Sequence, residues 1–145
     1  MADVELEGMD EIIRALDAAG DLTDDTVSDI LEAGAEVAVD EIRDGIRRSR
    51  YKIADYANHV SKSRVKKRKD GGAYITVTID GKNEKGQRRA MIAFILNYGR
   101  RAGTASRGGE IQGDYFWTKA TQKAQKKAAA AMEAVLRDKL KQEGL

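Results

Sequence analysis

The sequence contains no cysteine, no proline and one histidine, and only eight of its 145 residues are aromatic. The absence of cysteine excludes a disulfide scaffold, thiolate zinc sites, iron–sulfur clusters and thiol catalysis. The single histidine, His59, excludes multi-histidine metal sites. No apolar run approaches the ~18 residues that span a bilayer, and the acidic start of the chain does not resemble a signal peptide. We expect one soluble domain over residues 1–145, without cofactor, metal or membrane association.

Charge is distributed unevenly along the chain, although the net charge is only +2. Residues 1–46 hold 15 acidic and two basic side chains, whereas residues 47–145 hold 24 basic and nine acidic ones. The two parts can neutralise each other within one folded subunit, or they can present unlike surfaces to different neighbours. The second arrangement suits a ring, in which head-to-tail contacts join different surfaces of successive subunits. Charge alone leaves both interpretations open.

Hydrophobic periodicity predicts three helices. A short helix spans about 8–19, and a long central helix spans about 23–49, where apolar and small residues recur at helical spacing opposite a charged face. Thr23 is placed to cap the central helix, and the arginines at its C-terminal end suit the negative end of the helix dipole. A third helix is predicted over about 115–142, with Asp114 as its cap.

Strict alternation over residues 74–79 predicts a β-strand whose isoleucine and valine side chains face the core. Turn-forming residues follow, and then an apolar run over residues 88–98. Together the two runs predict an antiparallel β-hairpin over about 73–98. The expected fold class is therefore α+β, with a small antiparallel β-sheet packed by the long central helix and the long C-terminal helix.

Two segments between these elements are predicted to be exposed loops. Residues 50–72 form a basic loop that has few apolar side chains to bury, and residues 99–113 form a loop with five glycines and three arginines. We expect the basic residues of these loops to contact neighbouring proteins or DNA. They are Arg64, Lys66, Lys67, Arg68, Lys69, Arg100, Arg101 and Arg107.

The sequence gives no indication of an enzyme. His59, the only imidazole, lies in a basic and irregular stretch, where solvent exposure is the simpler interpretation. Serine catalysis requires a base that is held by an orienting acid, and no such set is apparent. Most of the carboxylates fall on the outer faces of the predicted helices, not as a pair in an apolar setting. We therefore assign no catalytic residue.

The basic loop also supports a different class of function, sequence-independent nucleic-acid binding. The lysines and arginines of residues 62–69 can neutralise phosphates and release counterions. Tyr51 and Tyr56 lie nearby as candidates for base stacking. No helix-turn-helix, RNP-type or zinc signature accompanies them. A solvated loop, or a loop that docks on an acidic protein, explains the same residues.

Three stretches of the chain resemble one bacteriophage family. Val4–Ile12 resembles the strand, glycine and helix that open its members. Ala90–Gly99 resembles the family's central strand, which ends in an acidic or amide residue, an aromatic and a glycine, and Gly113–Ala120 resembles the aromatic start of its last helix. The family is that of the tail-completion, or tail-to-head joining, proteins of long-tailed phages with non-contractile tails. This chain differs from the family pattern in having no proline beside the aromatic residues.

The resemblance implies a structural neck protein of the virion, made in the host bacterial cytoplasm. It implies a ring, a hexamer in the family, between the tail tube protein and the head connector or head-closure protein. Double-stranded DNA passing through the ring would be contacted without sequence specificity. Tyr98, Phe116 and Trp117 are expected to anchor the hairpin to the last helix in the core, with an interface role as the alternative. A small partner or inhibitor of a host protein is a third class of function.

Overall fold

The structure is a computed structural model that describes residues 4–5, 24–101 and 109–142. The helix predicted over about 8–19 and the cap predicted at Thr23 lie outside these residues. The helices are α1 (Asp24–Arg48), a 3₁₀ helix (Ala54–His59), α2 (Arg89–Tyr98) and α3 (Phe116–Gln142). The strands are β1 (Val4–Glu5), β2 (Val60–Lys62), β3 (Lys66–Lys67), β4 (Ala73–Tyr74), β5 (Thr76–Ile79), β6 (Gly99–Arg100) and β7 (Ile111–Gln112).

The two long helices, α1 and α3, pack against each other in antiparallel orientation over most of their length. Gly34 of α1 faces Met132, and Gly45 faces Ala120. A Cβ atom added to Gly45 would lie 2.4 Å from the Cβ atom of Ala120, so the missing side chain is what allows this approach. Small residues on both helices therefore set a short distance between their backbones.

A three-stranded antiparallel sheet with the strand order β1-β5-β2 lies on the other side of α1. Val77 of β5 is opposite Val4 on one side and Lys62 on the other. Ile75, Val77 and Ile79 are buried, as their alternation predicts. The sheet and the two long helices enclose the core, which confirms the predicted α+β class with a small antiparallel sheet packed by long helices.

The prediction of a β-hairpin over about 73–98 is wrong. Strand β5 pairs with β1 and β2, and the apolar run that follows it is the helix α2. A short apolar run does not distinguish a strand from a helix by period alone. Within this run the buried residues Ala93 and Asn97 are four apart, which is one helical turn. Gly99, at a φ of +83°, then ends the helix in a conformation that favours glycine.

Residues 50–72 are not one irregular loop, as the sequence predicted. They contain the 3₁₀ helix, strand β2 and the first strand of the two-stranded ribbon β3–β4. Tyr56, Ala57 and Val60 are buried against α1 and the sheet. Because the buried residues are few and irregularly spaced, they show neither a helical nor a strand period. The segment 99–113 also begins and ends in paired strands, β6 and β7.

Candidate assembly surfaces

Asn97 joins the end of α2 to the start of α3. Its side chain is buried, and its Oδ1 atom accepts the backbone N–H groups of Trp117 at 2.9 Å and Thr118 at 3.1 Å. Its Nδ2 atom donates to the Thr118 hydroxyl at 3.0 Å. The first N–H groups of a helix have no partner within the helix, so Asn97 caps α3 from a distant part of the chain. Sequence reasoning missed this role, although a lone amide in an apolar run was its signal.

The predicted anchor of the last helix is therefore only partly the observed one. Phe116 and Trp117 are buried in the core. Tyr98 does not share that position, because its side chain is 53% exposed. Its ring instead contacts the rings of Phe94 and Tyr115, with centroids 4.9 and 6.1 Å away. Tyr98 therefore lies at the surface. The buried residue that contacts the last helix at this point is its neighbour, Asn97.

Asp114 ties the start of α3 to the end of α1. Its Oδ1 atom accepts the Phe116 N–H at 3.2 Å, which is the predicted cap. Its Oδ2 atom accepts the Ser49 hydroxyl at 2.7 Å and the Arg50 N–H at 3.3 Å. Both helices thus meet at one carboxylate. Tyr115, the next residue, has a φ of +55° and donates its backbone N–H to the Asn97 carbonyl at 3.1 Å. This left-handed conformation costs a non-glycine residue about 1 kcal/mol.

A basic cleft of about 350 Å³ opens beside this joint. Its lining contains the four cationic side chains of Arg48, Arg50, Lys119 and Lys123. Arg50 also donates to the Gln112 carbonyl at 2.6 Å, which fixes its direction. Sequence reasoning did not place basic residues together here, because Arg48 and Arg50 are distant in the chain from Lys119 and Lys123.

The basic residues predicted near position 66 lie on and around the β3–β4 ribbon. Lys66 and Arg68 stand over the ring of Tyr74, with the Lys66 Nζ atom 5.9 Å and the Arg68 Cζ atom 4.8 Å from its centroid. The neighbouring members Arg64, Lys67 and Lys69 are exposed. The ribbon therefore presents its positive charge to solvent on a hydrogen-bonded frame.

The arginines predicted in the second loop fall on a different ribbon. Arg100 belongs to β6, and its Nε atom donates to the Gly109 carbonyl at 3.5 Å. Arg101 follows it and is exposed. Arg107 lies outside the described residues. The described members of the two predicted groups thus lie on or beside separate ribbons of the structure.

An apolar strip, formed by Met91, Phe94 and Tyr98 of α2 together with Tyr115, lies open to solvent. The exposed fractions of these side chains run from 45% to 54%. Met91, Phe94 and Tyr98 follow one another along the outer side of α2 at helical spacing, and the ring of Tyr115 contacts that of Tyr98. A hollow of about 280 Å³ with almost entirely apolar walls lies at the Met91 end of the strip. Contiguous exposed apolar patches are typical of interaction sites. Sequence reasoning missed it because residues 88–98 were predicted to be a strand.

An acidic stripe runs along one side of α1. Like charges one turn apart repel each other by about 0.2–0.5 kcal/mol per pair. Ion pairs within the chain relieve this repulsion at Asp29, Glu32 and Asp44. Glu36 and Asp40, at the middle of the stripe, have no ion-pair partner among the residues that the structure describes. The six members are Asp25, Asp29, Glu32, Glu36, Asp40 and Asp44.

Within residues 4–5, 24–101 and 109–142, no group of three or more His, Cys, Asp or Glu side chains could hold a metal ion. His59 is partly exposed at the end of the 3₁₀ helix. In the same part of the chain, no helix is long and apolar enough to cross a bilayer.

The features of this domain are surfaces for contact: an apolar strip, an acidic stripe and two basic ribbons. Such surfaces are typical of a subunit of a larger assembly. A comparison with known families matches residues 10–99 to the family described as "Bacteriophage HK97-gp10, putative tail-component". The chain belongs to this HK97-gp10-like family of bacteriophage tail components. No curated protein and no solved structure gives a significant match.

Proposed function

We propose that the protein is a tail-completion subunit, which assembles as a ring between the tail tube and the head connector of a phage with a long, non-contractile tail. The observation that carries the proposal is the apolar strip on α2, in a chain of a phage tail-component family. An exposed helix face with two aromatic rings and a methionine is costly in water, and a neighbouring subunit would cover it.

The distribution of charge fits a head-to-tail ring. The acidic stripe and the basic ribbons are different surfaces of one subunit, and a head-to-tail contact brings unlike surfaces together. Basic residues that face the lumen of such a ring would contact DNA through its phosphates, without reading sequence. The proposed partners are other copies of the chain, the tail tube protein, and the head connector or head-closure protein. The proposed location is the neck of the virion, after synthesis in the host cytoplasm.

The test is deletion of the gene from the phage or prophage that carries it, followed by negative-stain microscopy of the lysate. We expect DNA-filled heads and separate tails, and restoration of joined particles when the wild-type chain is supplied in trans. Supply of a Phe94→Ala chain should fail to restore them, whereas an exposed control far along α3, Lys141→Ala, should succeed. Intact tailed particles from the deletion would overturn the proposal.

A second candidate function is sequence-independent nucleic-acid binding by the β3–β4 ribbon. The observation that favours it is the pair of cations over Tyr74, beside exposed Arg64 and Lys69. Phosphate contacts make the logarithm of affinity fall linearly with the logarithm of salt concentration, at about 0.9 per neutralised phosphate for duplex DNA. We expect a steep slope that Lys66→Ala and Lys69→Ala reduce together. No measurable binding to duplex DNA at low salt would remove this candidate.

A further inference from the structure

The apolar strip has a cationic end. Arg88, next to α2, is exposed and lines the hollow with Met91 and Phe94. An isolated antiparallel bridge pairs its backbone with that of Lys82, which is also exposed. Residues opposite each other in such a bridge have Cα atoms about 4.5–5.5 Å apart. The strip is therefore an apolar ridge that begins at two adjacent positive charges.

The middle of the acidic stripe borders a groove with complementary properties. The groove, of about 520 Å³, lies between α1 and β2, and the buried side chains of Val39 and Val60 form its apolar part. Glu36 and Asp40 stand at its edge. On a helix, side chains four residues apart have Cβ atoms about 5–6 Å apart, so the spacing of the two carboxylates matches that of the two cations.

Neither basic side chain of the groove forms an ion pair with Glu36 or Asp40, and the Nε atom of Arg43 is buried without a hydrogen-bond partner among the described residues. The Arg43 guanidinium donates to the Val60 carbonyl at 3.1 Å, and Lys62 forms an ion pair with Glu32. They therefore do not neutralise Glu36 and Asp40 by direct pairing. The groove offers two carboxylates beside an apolar floor, and the strip offers two cations beside an apolar ridge.

We propose that the strip of one copy of this chain docks into the groove of a second copy, with Arg88 and Lys82 facing Glu36 and Asp40. The proposal rests on the proposed ring and names its subunit contact. Because the strip and the groove are different surfaces, the contact is head-to-tail, and an open chain of subunits has one unfilled strip at one end and one unfilled groove at the other until the ring closes. Phe94, an aromatic side chain at the centre of the ridge, is expected to contribute most of the binding free energy.

A mixing experiment tests the contact. A strip variant, Phe94→Glu, retains its groove, and a groove variant, Glu36→Lys with Asp40→Lys, retains its strip. In sedimentation velocity at up to millimolar protein, we expect the wild-type chain to associate. Each variant alone should associate at least about 30-fold more weakly. An equimolar mixture should form a heterodimer that grows no further, because neither open surface has a partner. Circular dichroism checks that both variants are folded.

The other possible outcomes of the mixing experiment would contradict the proposed contact. A mixture without heterodimer, a variant that associates as well as the wild type, or a wild-type chain that stays monomeric would overturn docking between copies. If self-association is unchanged but the Phe94→Glu chain fails to join heads and tails, the strip binds another protein, and the contact between copies is wrong. The proposed tail-completion role is judged separately, by the deletion phenotype under the microscope.

Charge reversal gives an independent readout on the same contact. Reversal of both cations, by Arg88→Glu and Lys82→Glu, should weaken association at least about 30-fold, as the groove variant does, because like charges then face each other across the contact. When this chain is mixed with the groove variant, its acidic strip faces a basic groove. The affinity of that contact should return to near the wild-type value. Lys141→Glu, on an exposed part of α3 far along the chain, is the matched control and should change nothing. Failure of the reversed pair to recover would overturn the assigned charge pairing.

Discussion

The Oδ1 atom of Asn97 accepts the backbone N–H of Trp117 at 2.9 Å, twenty residues along the chain. This hydrogen bond connects the helix that carries the apolar strip to the helix that closes the core. The same oxygen also accepts the Thr118 N–H, so one buried amide satisfies two of the donors at the start of α3. The position of the strip relative to the core therefore depends on Asn97.

Replacement of Asn97 by alanine is expected to lower the free energy of unfolding by about 2–3 kcal/mol, because two buried N–H groups lose their acceptor. Asn58→Ala, at an exposed amide of the 3₁₀ helix, is the matched control and should change it by less than about 0.5 kcal/mol. Urea unfolding followed by circular dichroism measures both. Equal midpoints for the two variants would show that Asn97 is not a cap.

The two glycines of the α1–α3 contact predict different effects of the same substitution. At Gly45 a new Cβ atom meets the Cβ atom of Ala120 at 2.4 Å, whereas at Gly34 it meets the Cγ atom of Met132 at 2.7 Å. Overpacking costs about 1–3 kcal/mol, and alanine offsets about 1 kcal/mol of this by its helix propensity. Because Met132 has a flexible side chain, Gly34→Ala should be nearly neutral.

Gly45→Ala should therefore destabilise the protein by about 1–2 kcal/mol in thermal or urea unfolding. Ala120→Gly in the Gly45→Ala background should recover part of the loss, because it restores the space between the helices. A double-mutant cycle over these two positions measures the coupling. Additive effects would contradict the close approach of the two backbones at Gly45.

Glu41 is a buried carboxylate whose cations lie at the surface. Its Oε2 atom lies 2.7 Å from the Lys127 Nζ atom, and its Oε1 atom lies 3.8 Å from Arg48. Lys127→Met leaves a buried charge with one distant partner, and we expect a loss of about 1 kcal/mol, discounted because the lysine itself is exposed. Arg137→Met, which breaks the exposed i,i+4 pair with Glu133, should cost about 0.3–0.5 kcal/mol.

Unfolding midpoints at low and high salt distinguish these two ion pairs further. The Glu41 pair joins α1 to α3 at a buried carboxylate, so salt should screen it less than the exposed Arg137 pair. If both variants lose the same stability at low salt, and salt removes both effects equally, burial of Glu41 contributes nothing to the pair.

The only two phenylalanines of the chain separate a core role from a surface role. Phe116 is buried and Phe94 is 45% exposed. Phe116→Ala should cost about 3–5 kcal/mol in the free energy of unfolding. Phe94→Ala should cost under about 1 kcal/mol, yet it should abolish head–tail joining in the complementation assay. A Phe94→Ala chain that is fully active would remove the strip as an assembly surface.

The long helices were predictable from the sequence because each carries its own signal over more than twenty residues. In α1 and α3 the small and apolar residues recur at helical spacing, and the structure places both helices within one residue of the predicted bounds. Strand β5 was predictable for the same kind of reason, since Ile75, Val77 and Ile79 alternate with polar residues. Local periodicity is sufficient where an element has one buried face.

The run over residues 88–98 shows where local reasoning is insufficient. Its residues 90–96 are all apolar, so their pattern is compatible with a strand or with a helix. Strand β5 pairs with β1 on one edge and with β2 on the other, so it has no free edge for residues 88–98. Those residues form the helix α2 instead. The apolar strip, its aromatic neighbours and the groove on α1 all follow from that arrangement, which no single segment encodes.

The sequence by itself determined the α+β class, the two long helices, the core face of β5 and the uneven distribution of charge, because each depends on residues close together in the chain. The tertiary structure decided the rest. It made residues 89–98 a helix, placed Asn97 in the core and Tyr98 at the surface, and brought four cations from distant parts of the chain into one cleft. Those outcomes depend on contacts between residues far apart in the chain, and such contacts form only when the elements pack.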